Sequence, residues 1–212
     1  MNVYSLTAEI KDQFSKRKMD KKLKEKFLIL ICGLPSTGKT TIARKLSEKL
    51  SKYILISQNE IRRSMGMKRM PKTQEKVLRT IDFLTADRLR ADYGVIFESV
   101  NRWSFRRQQI YGVASACRRR VITLEIVCPE EVAKKRMRER PDGVEMLSDP
   151  KDVAVYDRLK ALWENIEVDF KYPGEDHVAY IQFDSNKNTL KKVIPRKGMR
   201  EIFNQIEKIL RS

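Results

Sequence analysis

The chain has 212 residues, 41% of them hydrophobic, a length that suits one domain and a share that can fill a core. No apolar run approaches the roughly 20 residues of a bilayer-spanning helix, and the start of the chain lacks the apolar centre of a secretory leader, so the reading is cytoplasmic, with no membrane partner. The formal charge of +17, from 45 Lys and Arg against 28 Asp and Glu, favours a polyanionic partner, either a nucleic acid or a phosphorylated acceptor.

Residues 1–26 read as a basic N-terminal extension, with Lys16, Arg17, Lys18, Lys21, Lys22, Lys24 and Lys26 clustered and a weak apolar stripe at Tyr4, Leu6, Ile10 and Phe14. The remainder, 27–212, reads as one catalytic domain. It opens with the apolar run Phe27 to Cys32, a buried strand by composition, followed by Gly33-Leu34-Pro35-Ser36-Thr37-Gly38-Lys39-Thr40. That octet satisfies G-x-x-x-x-G-K-S/T at every constrained position. A polyphosphate needs inward-facing backbone N–H groups, a helix N-terminus and a cation on its outer phosphates. Gly33 and Gly38 allow the turn and close approach, Lys39 suits the β- and γ-phosphates, and the Thr40 hydroxyl suits Mg²⁺. The helix expected next carries Thr41 in its first turn and Ile42, Ala43, Leu46 and Leu50 on one face. A nucleoside triphosphate, ATP or GTP, with Mg²⁺ is therefore the expected occupant.

Tyr53 to Ser57 reads as a second strand whose carboxyl end delivers Gln58, Asn59, Glu60 and Arg62 beside the cradle, where open parallel sheets place ligands. Arg62 suits an acceptor anion, and Asn59 or Glu60 could touch the accepting group. Gly66 to Thr73 reads as a loop with Met65, Met67 and Met70, leading to a helix from about Thr73 to Tyr93 that turns Val77, Leu78, Ile81, Leu84 and Leu89 inward. Gly94 to Asn101 is a third strand, with Glu98 as the carboxylate available to orient Mg²⁺ or its waters. Arg102, Arg106 and Arg107 lie at the start of a helix running to about Ala116. Trp103 and Phe105, interleaved with them, suit either base stacking or hydrophobic anchoring of that helix.

Val121 to Cys128 is a fourth strand, and Pro129-Glu130-Glu131 opens a helix with proline and acids in the first turn. Arg136 and Arg140, four apart, share a face from which two guanidinium groups can reach a transferring phosphoryl group. Turn signals fill Pro141 to Pro150, and a helix follows to about Glu164 with Val153, Tyr156, Leu159 and Leu162 or Trp163 inward. A lid over about 136–165 would exclude water from a reactive γ-phosphate. Val178 to Phe183 is a fifth strand ending at Asp184-Ser185-Asn186, and a closing helix from about Met199 to Leu210 stacks Ile202, Phe203, Ile206, Ile209 and Leu210. Cys32, Cys117 and Cys128, odd in number and set in apolar runs, read as reduced thiols, and the single His177 has no cysteine or histidine nearby to share a metal.

From about Phe27 to Leu190 these motifs resemble the P-loop kinases that include phage-type 5′-hydroxyl polynucleotide kinases, zeta-toxin-like (AAA-type ATPase) kinases and small-molecule hydroxyl kinases. The resemblance implies an α/β fold of the P-loop NTPase type, three layers deep, with a five-stranded parallel sheet in the order 2-3-1-4-5 and a helical lid. It implies that Arg62 clamps the acceptor, that Asn101 and Arg106 contact substrate, that Arg136 and Arg140 are the lid arginines, and that the Asp184 to Asn188 turn lies near the adenine. The position of the family's general-base aspartate is Asn59 here, and Ser99 stands where a further family aspartate aligns. An amide cannot take the proton of an alcohol, which leaves three routes: Glu60 or Glu98 as base, an acceptor already anionic, or binding without turnover. The expected activity is an ATP- and Mg²⁺-dependent phosphotransferase acting on a hydroxyl, first of all the 5′-OH of a polynucleotide. The alternatives are a kinase of a small metabolite or nucleotide, or a nucleotide-regulated RNA-binding module. Lys39, Arg136, Arg140, Asn59 and Glu98 are the candidate catalytic residues, with Thr40 and Glu98 at the metal.

Overall fold

A computed structural model describes residues 25–66, 71–140, 152–170, 177–195 and 200–212. The expectations for 1–24, for Met67 to Met70, for the turns at 141–150 and 172–174, and for the central part of the lid lie outside the described residues.

Strand β1 (Leu28–Cys32) is buried at all five positions. Its side chains alternate between two cores: Ile29 and Ile31 enter one, Leu28, Leu30 and Cys32 the other. A strand apolar on both faces needs helices on both, and the chain supplies them. On the first face lie α1 (Lys39–Lys49), through Ile42, Ala43 and Leu46, and the closing helix, through Ile206, Ile209 and Leu210. On the second lie α3 (Pro71–Arg90), through Val77, Ile81, Leu84 and Leu89, and α4 (Ser104–Ala116), through Ile110, Tyr111 and Ala114. Each of the Ile, Leu and Val side chains among these, fully removed from water, contributes about 1.5–3 kcal/mol. The result is the three-layer α/β/α arrangement.

The sheet has six strands in the order β2-β3-β1-β4-β5-β6, comprising β2 (Tyr53–Ser57), β3 (Gly94–Glu98), β4 (Val121–Val127), β5 (His177–Asp184) and β6 (Thr189–Pro195) besides β1. The first five pair in parallel in the expected order. The sixth corrects the sequence reading: β6 turns back antiparallel on β5, making the sheet mixed. Its sequence hides it, because Lys191, Lys192 and Pro195 interrupt any apolar alternation. Those are the residues with which an edge strand discourages further pairing. The Asp184 carboxylate shapes the hairpin by accepting from the backbone N–H of Asn186 (2.9 Å) and Lys187 (3.1 Å).

Other boundaries move by a few residues. The third strand stops at Glu98, α3 runs from Pro71 to Arg90, and the helix expected to reach Glu164 is α6 (Ala154–Ala161), which turns Tyr156 and Leu159 inward but leaves Leu162 exposed. Helix α2 (Gln58–Ser64) follows β2 directly, and α5 (Glu130–Arg138) ends before Arg140. Pro129 is the residue capping α5 rather than its first helical position. The closing helix is α7 (Arg200–Arg211). Glu25 and Lys26, the last residues of the expected extension, are already tied to the domain through Arg120 and the Ser51 carbonyl. Cys32, Cys117 and Cys128 are free, and burial pushes the Cys32 thiol well up. Among the described residues no helix is long and apolar enough to cross a membrane.

A buried ion pair braces the segment after β3. Arg107 Nε donates to Asp169 Oδ2 at 2.5 Å with both side chains fully buried, and Arg107 Nη1 donates to the carbonyls of Asn101 (3.0 Å) and Arg102 (2.9 Å). Burial alone would lower the Arg107 pKa; the hydrogen bond and charge of Asp169 more than offset it and leave it raised.

Candidate active site

The order of the strands reverses direction at β1, and the loop after β1 therefore opens at the switch point where doubly wound sheets hold ligands. The backbone of that loop leaves ordinary L-residue space three times, at Gly33, at Ser36 (φ 58°) and at Gly38 (φ 93°). Gly33, at φ 150°, sits where a Cβ would come within 2.4 Å of the Ile126 carbonyl oxygen, so only glycine fits. The Leu34 carbonyl accepts from both Thr37 Oγ1 (2.9 Å) and Lys39 Nζ (2.7 Å), while Leu34 itself packs towards Ala133 and Met137 and Pro35 is buried. Helix α1 begins with no side-chain cap and no acid in its first turn. Its uncapped N–H groups and partial positive charge face a cavity of about 830 Å³ lined by Gly38, Lys39, Thr40 and Thr41. An anion satisfies such an end, and a phosphate does so with several oxygens.

Glu98 ends β3 with its side chain buried, beside the loop. Thr40 Oγ1 donates to Glu98 Oε1 at 3.4 Å, and Ser57 Oγ donates to Glu98 Oε2 at 2.9 Å. The register of β2 on β3 sets Ser57 opposite Glu98. Mg²⁺ prefers one or two carboxylates, a hydroxyl and phosphate oxygens to a cage of protein ligands. Thr40 and Glu98 fit that preference, and among the described residues there is no group of three His, Cys, Asp or Glu that would suggest a denser metal site.

The same cavity is also lined by Asn59, Arg62, Gln74, Asn101 and Arg106. Arg62 is buried, with Nη1 donating to Asn59 Oδ1 (3.3 Å) and Nη2 to Gln74 Oε1. Arg106 is held bidentately by Asp82 at 2.9 and 2.6 Å. Asn101, in the left-handed region at φ 49°, donates from Nδ2 to the Ile31 carbonyl at 3.2 Å and so buttresses the end of β1. Glu60 turns to the surface and pairs with Arg44 at 3.4 Å, whereas Glu98 lines the cavity.

Although α5 ends before Arg140, both arginines reach the loop: Arg136 Nη1 donates to the Ser36 carbonyl (3.4 Å) and Arg140 Nη2 to Ser36 Oγ (2.9 Å). Burial raises the Cys128 thiol, against the opposing pull of the Arg136 guanidinium. The described flanks of the expected lid are joined, since α6 packs Tyr156 against Ala133 and Met137 of α5 and Lys134 binds Asp157 at 2.6 Å.

Several partners escaped the sequence reading. Ser185 Oγ donates to the Thr37 carbonyl at 2.6 Å and lies 3.4 Å from Arg136 Nη1, so the β5–β6 turn touches the cradle as well as bordering the cavity. Gln74, Asp82 and Ser57 orient Arg62, Arg106 and Glu98 in turn. Each pairing is long-range in sequence, and only the strand ends at Ser57 and Asp184 carried a local signal.

Comparison with known proteins bears on the fold and the family. The chain is 25% identical over 187 residues to the L-seryl-tRNA(Sec) kinase of Methanococcus maripaludis, covering 86% of this chain and 65% of that protein, just under two thirds of its length. Chaetomium thermophilum Kti12, whose crystal structure is a complex with ADP-AlF3, superposes with a TM-score of 0.58 at 20% identity over 86% of this chain and 98% of that one. A sugar kinase from Janibacter superposes at 0.53 with 16% identity over 74% and 85% of the two chains. These two structures establish the fold as P-loop NTPase-like. Residues 28–163, from β1 through the phosphate loop to the residues just after α6, match the AAA domain family, and the chain belongs to that family.

Proposed function

We propose that the protein is an ATP-dependent phosphotransferase that moves the γ-phosphoryl group to a hydroxyl carried on RNA, the polynucleotide 5′-OH being the first candidate. The observation that carries this reading is one cavity whose lining holds two sets of residues, Lys39, Thr40 and Glu98 from the phosphate-binding elements and Asn59, Arg62 and Gln74 besides, together with Arg136 and Arg140. A nucleotide-binding module without transfer has no need of the second set.

In the proposed reaction the backbone N–H groups of residues 36–40 and the Lys39 ammonium hold the β- and γ-phosphates. Thr40 and Glu98 would hold Mg²⁺, which would supply charge neutralisation on the phosphate oxygens. Arg136 and Arg140 would turn from Ser36 to the equatorial oxygens of the transferring group, where charge spreads. Arg62 would hold an anionic group of the acceptor, and Asn59 would orient the attacking hydroxyl. The acceptor O–Pγ bond forms, the bond from Pγ to the β-γ bridging oxygen breaks with its electron pair leaving on ADP, and the hydroxyl proton is lost. Because the transition state is loose, positioning and charge neutralisation contribute more than proton abstraction, so an amide at 59 is compatible with turnover. The proton passes late to an oxygen of the transferred phosphoryl group, because Glu98, the carboxylate in the cavity lining, is committed to Mg²⁺ and Glu60 pairs with Arg44 at the surface.

The formal charge of +17 supports a nucleic-acid acceptor, and the name of the Methanococcus relative supports a hydroxyl presented by RNA, on an aminoacyl group in that case. The test is transfer of label from γ-labelled ATP to a 5′-hydroxyl RNA, a 5′-hydroxyl DNA, a seryl-tRNA and a panel of small alcohols. The expected result is labelled RNA, with Lys39→Ala abolishing transfer in a folded protein. Label confined to small alcohols would replace the acceptor assignment, and ATP binding with no transfer to any acceptor would leave only the binding module.

A further inference from the structure

Trp103 and Phe105 line the cavity that contains Lys39 and Arg62, yet neither is packed away: Trp103 is 39% and Phe105 59% exposed. Their rings are stacked, with centroids 5.5 Å apart and planes 27° from parallel. The Arg102 guanidinium carbon lies 3.7 Å from the centroid of the Trp103 ring. We propose that this pair of rings is a stacking site for a nucleobase of the single-stranded polynucleotide that presents the hydroxyl; its location relative to the acceptor rests on the kinase reading, but its affinity for bases does not.

Hydrophobic anchoring of α4, the ordinary use of aromatic residues at a helix start, is not what these rings do. The anchor is polar and lies beneath them. Ser104 Oγ donates to Asp169 Oδ1 at 2.6 Å, the Ser104 N–H to Glu164 Oε2 at 2.5 Å, and the Glu164 N–H to the Arg102 carbonyl at 3.1 Å. With Arg107 binding the carbonyls of Asn101 and Arg102, the backbone that bears the rings is fixed without them. Large aromatic surfaces left in water beside a cavity mark a place where a partner sits. The Arg102 guanidinium lies over one face of Trp103 and adds a planar cation, the more exposed Phe105 leaves ring surface for a base, a π-face accepts every base, and the excess of basic residues suits the connecting phosphates.

The test measures binding without ATP, by fluorescence anisotropy of a 3′-labelled, 5′-hydroxyl oligoribonucleotide of about ten nucleotides. Trp103→Leu, which keeps apolar bulk but no ring, is expected to weaken binding about tenfold or more. Trp103→Phe, which keeps a ring, is expected to retain most of the affinity. Phe105→Leu provides a second, more exposed position should the Trp103 variant fold poorly, and it is expected to weaken binding in the same sense. An abasic oligomer with the same phosphates should bind the unmodified protein less tightly and be indifferent to Trp103→Leu. Equal affinity for abasic and base-containing oligomers, or unchanged RNA binding in folded Trp103→Leu and Phe105→Leu, would overturn the proposal. Ring-dependent RNA binding with no transfer to any acceptor would sink the kinase reading alone. Transfer to small alcohols without ring-dependent binding would sink the stacking site alone.

Discussion

The Thr40 hydroxyl, at the start of α1, and the Glu98 carboxylate, at the end of β3, lie 3.4 Å apart although 58 residues separate them in the chain. One is the last residue of the phosphate loop and the other a buried carboxylate hydrogen-bonded to it, so these are the two side chains that would hold Mg²⁺.

Glu98→Gln should keep the fold, because the amide oxygen can still accept from Ser57, which now donates at 2.9 Å. The expected loss is about 10–100-fold in magnesium-supported turnover or magnesium affinity. Nucleotide affinity measured with a chelator present should hardly change. Calorimetric titrations with and without magnesium check both halves.

Asn59→Asp should raise transfer to a hydroxyl if proton removal limits the rate, by up to about 10²–10⁴-fold. Arg62 Nη1, 3.3 Å from Asn59 Oδ1, would keep the new carboxylate ionised at neutral pH. Single-turnover transfer is the measurement; an unchanged rate would mean that orientation, not the base, is what residue 59 contributes.

Asp169→Asn removes the partner of a fully buried guanidinium, and breaking such a pair from one side costs about 3–5 kcal/mol. Denaturant unfolding should show that loss. Because Arg107 also holds the carbonyls of Asn101 and Arg102, RNA affinity should fall too in whatever fraction stays folded.

Asp184 gives a pH dependence of stated sign. Burial would raise its carboxyl pKa, but the backbone N–H groups of Lys187 and Asn186 and the Lys191 ammonium outweigh burial and hold it below the usual carboxylate range. A group depressed in the folded state contributes stability that is whole above about pH 5 and is lost as pH falls through the folded value. Asp184→Asn should therefore flatten the fall of melting temperature on acidification below pH about 5, as measured by thermal melts across that window.

The phosphate loop and the buried strands were legible in the amino-acid sequence, because each rests on local chemistry, whereas the order of the strands came from the resemblance to the P-loop kinases. Glycines at fixed offsets permit one loop geometry, and apolar runs such as Leu28 to Cys32 require helices on both faces. Strand β6 was not legible, since an edge strand bearing Lys191, Lys192 and Pro195 carries little apolar pattern and is held mainly by its hydrogen bonds to β5. Pairings across the chain were equally hidden. Arg106 and Arg107 stand next to each other in one basic run, yet the tertiary structure gives Arg106 to Asp82 and Arg107 to Asp169, the first at the cavity and the second in the core. Trp103 and Phe105 could have been core or surface by composition; their exposure was decided by which face of α4 the polar anchor at Ser104 and Asp169 turned towards the sheet. Local backbone preferences determine the elements, whereas a side chain's partner depends on which distant strand end the folded sheet brings beside it.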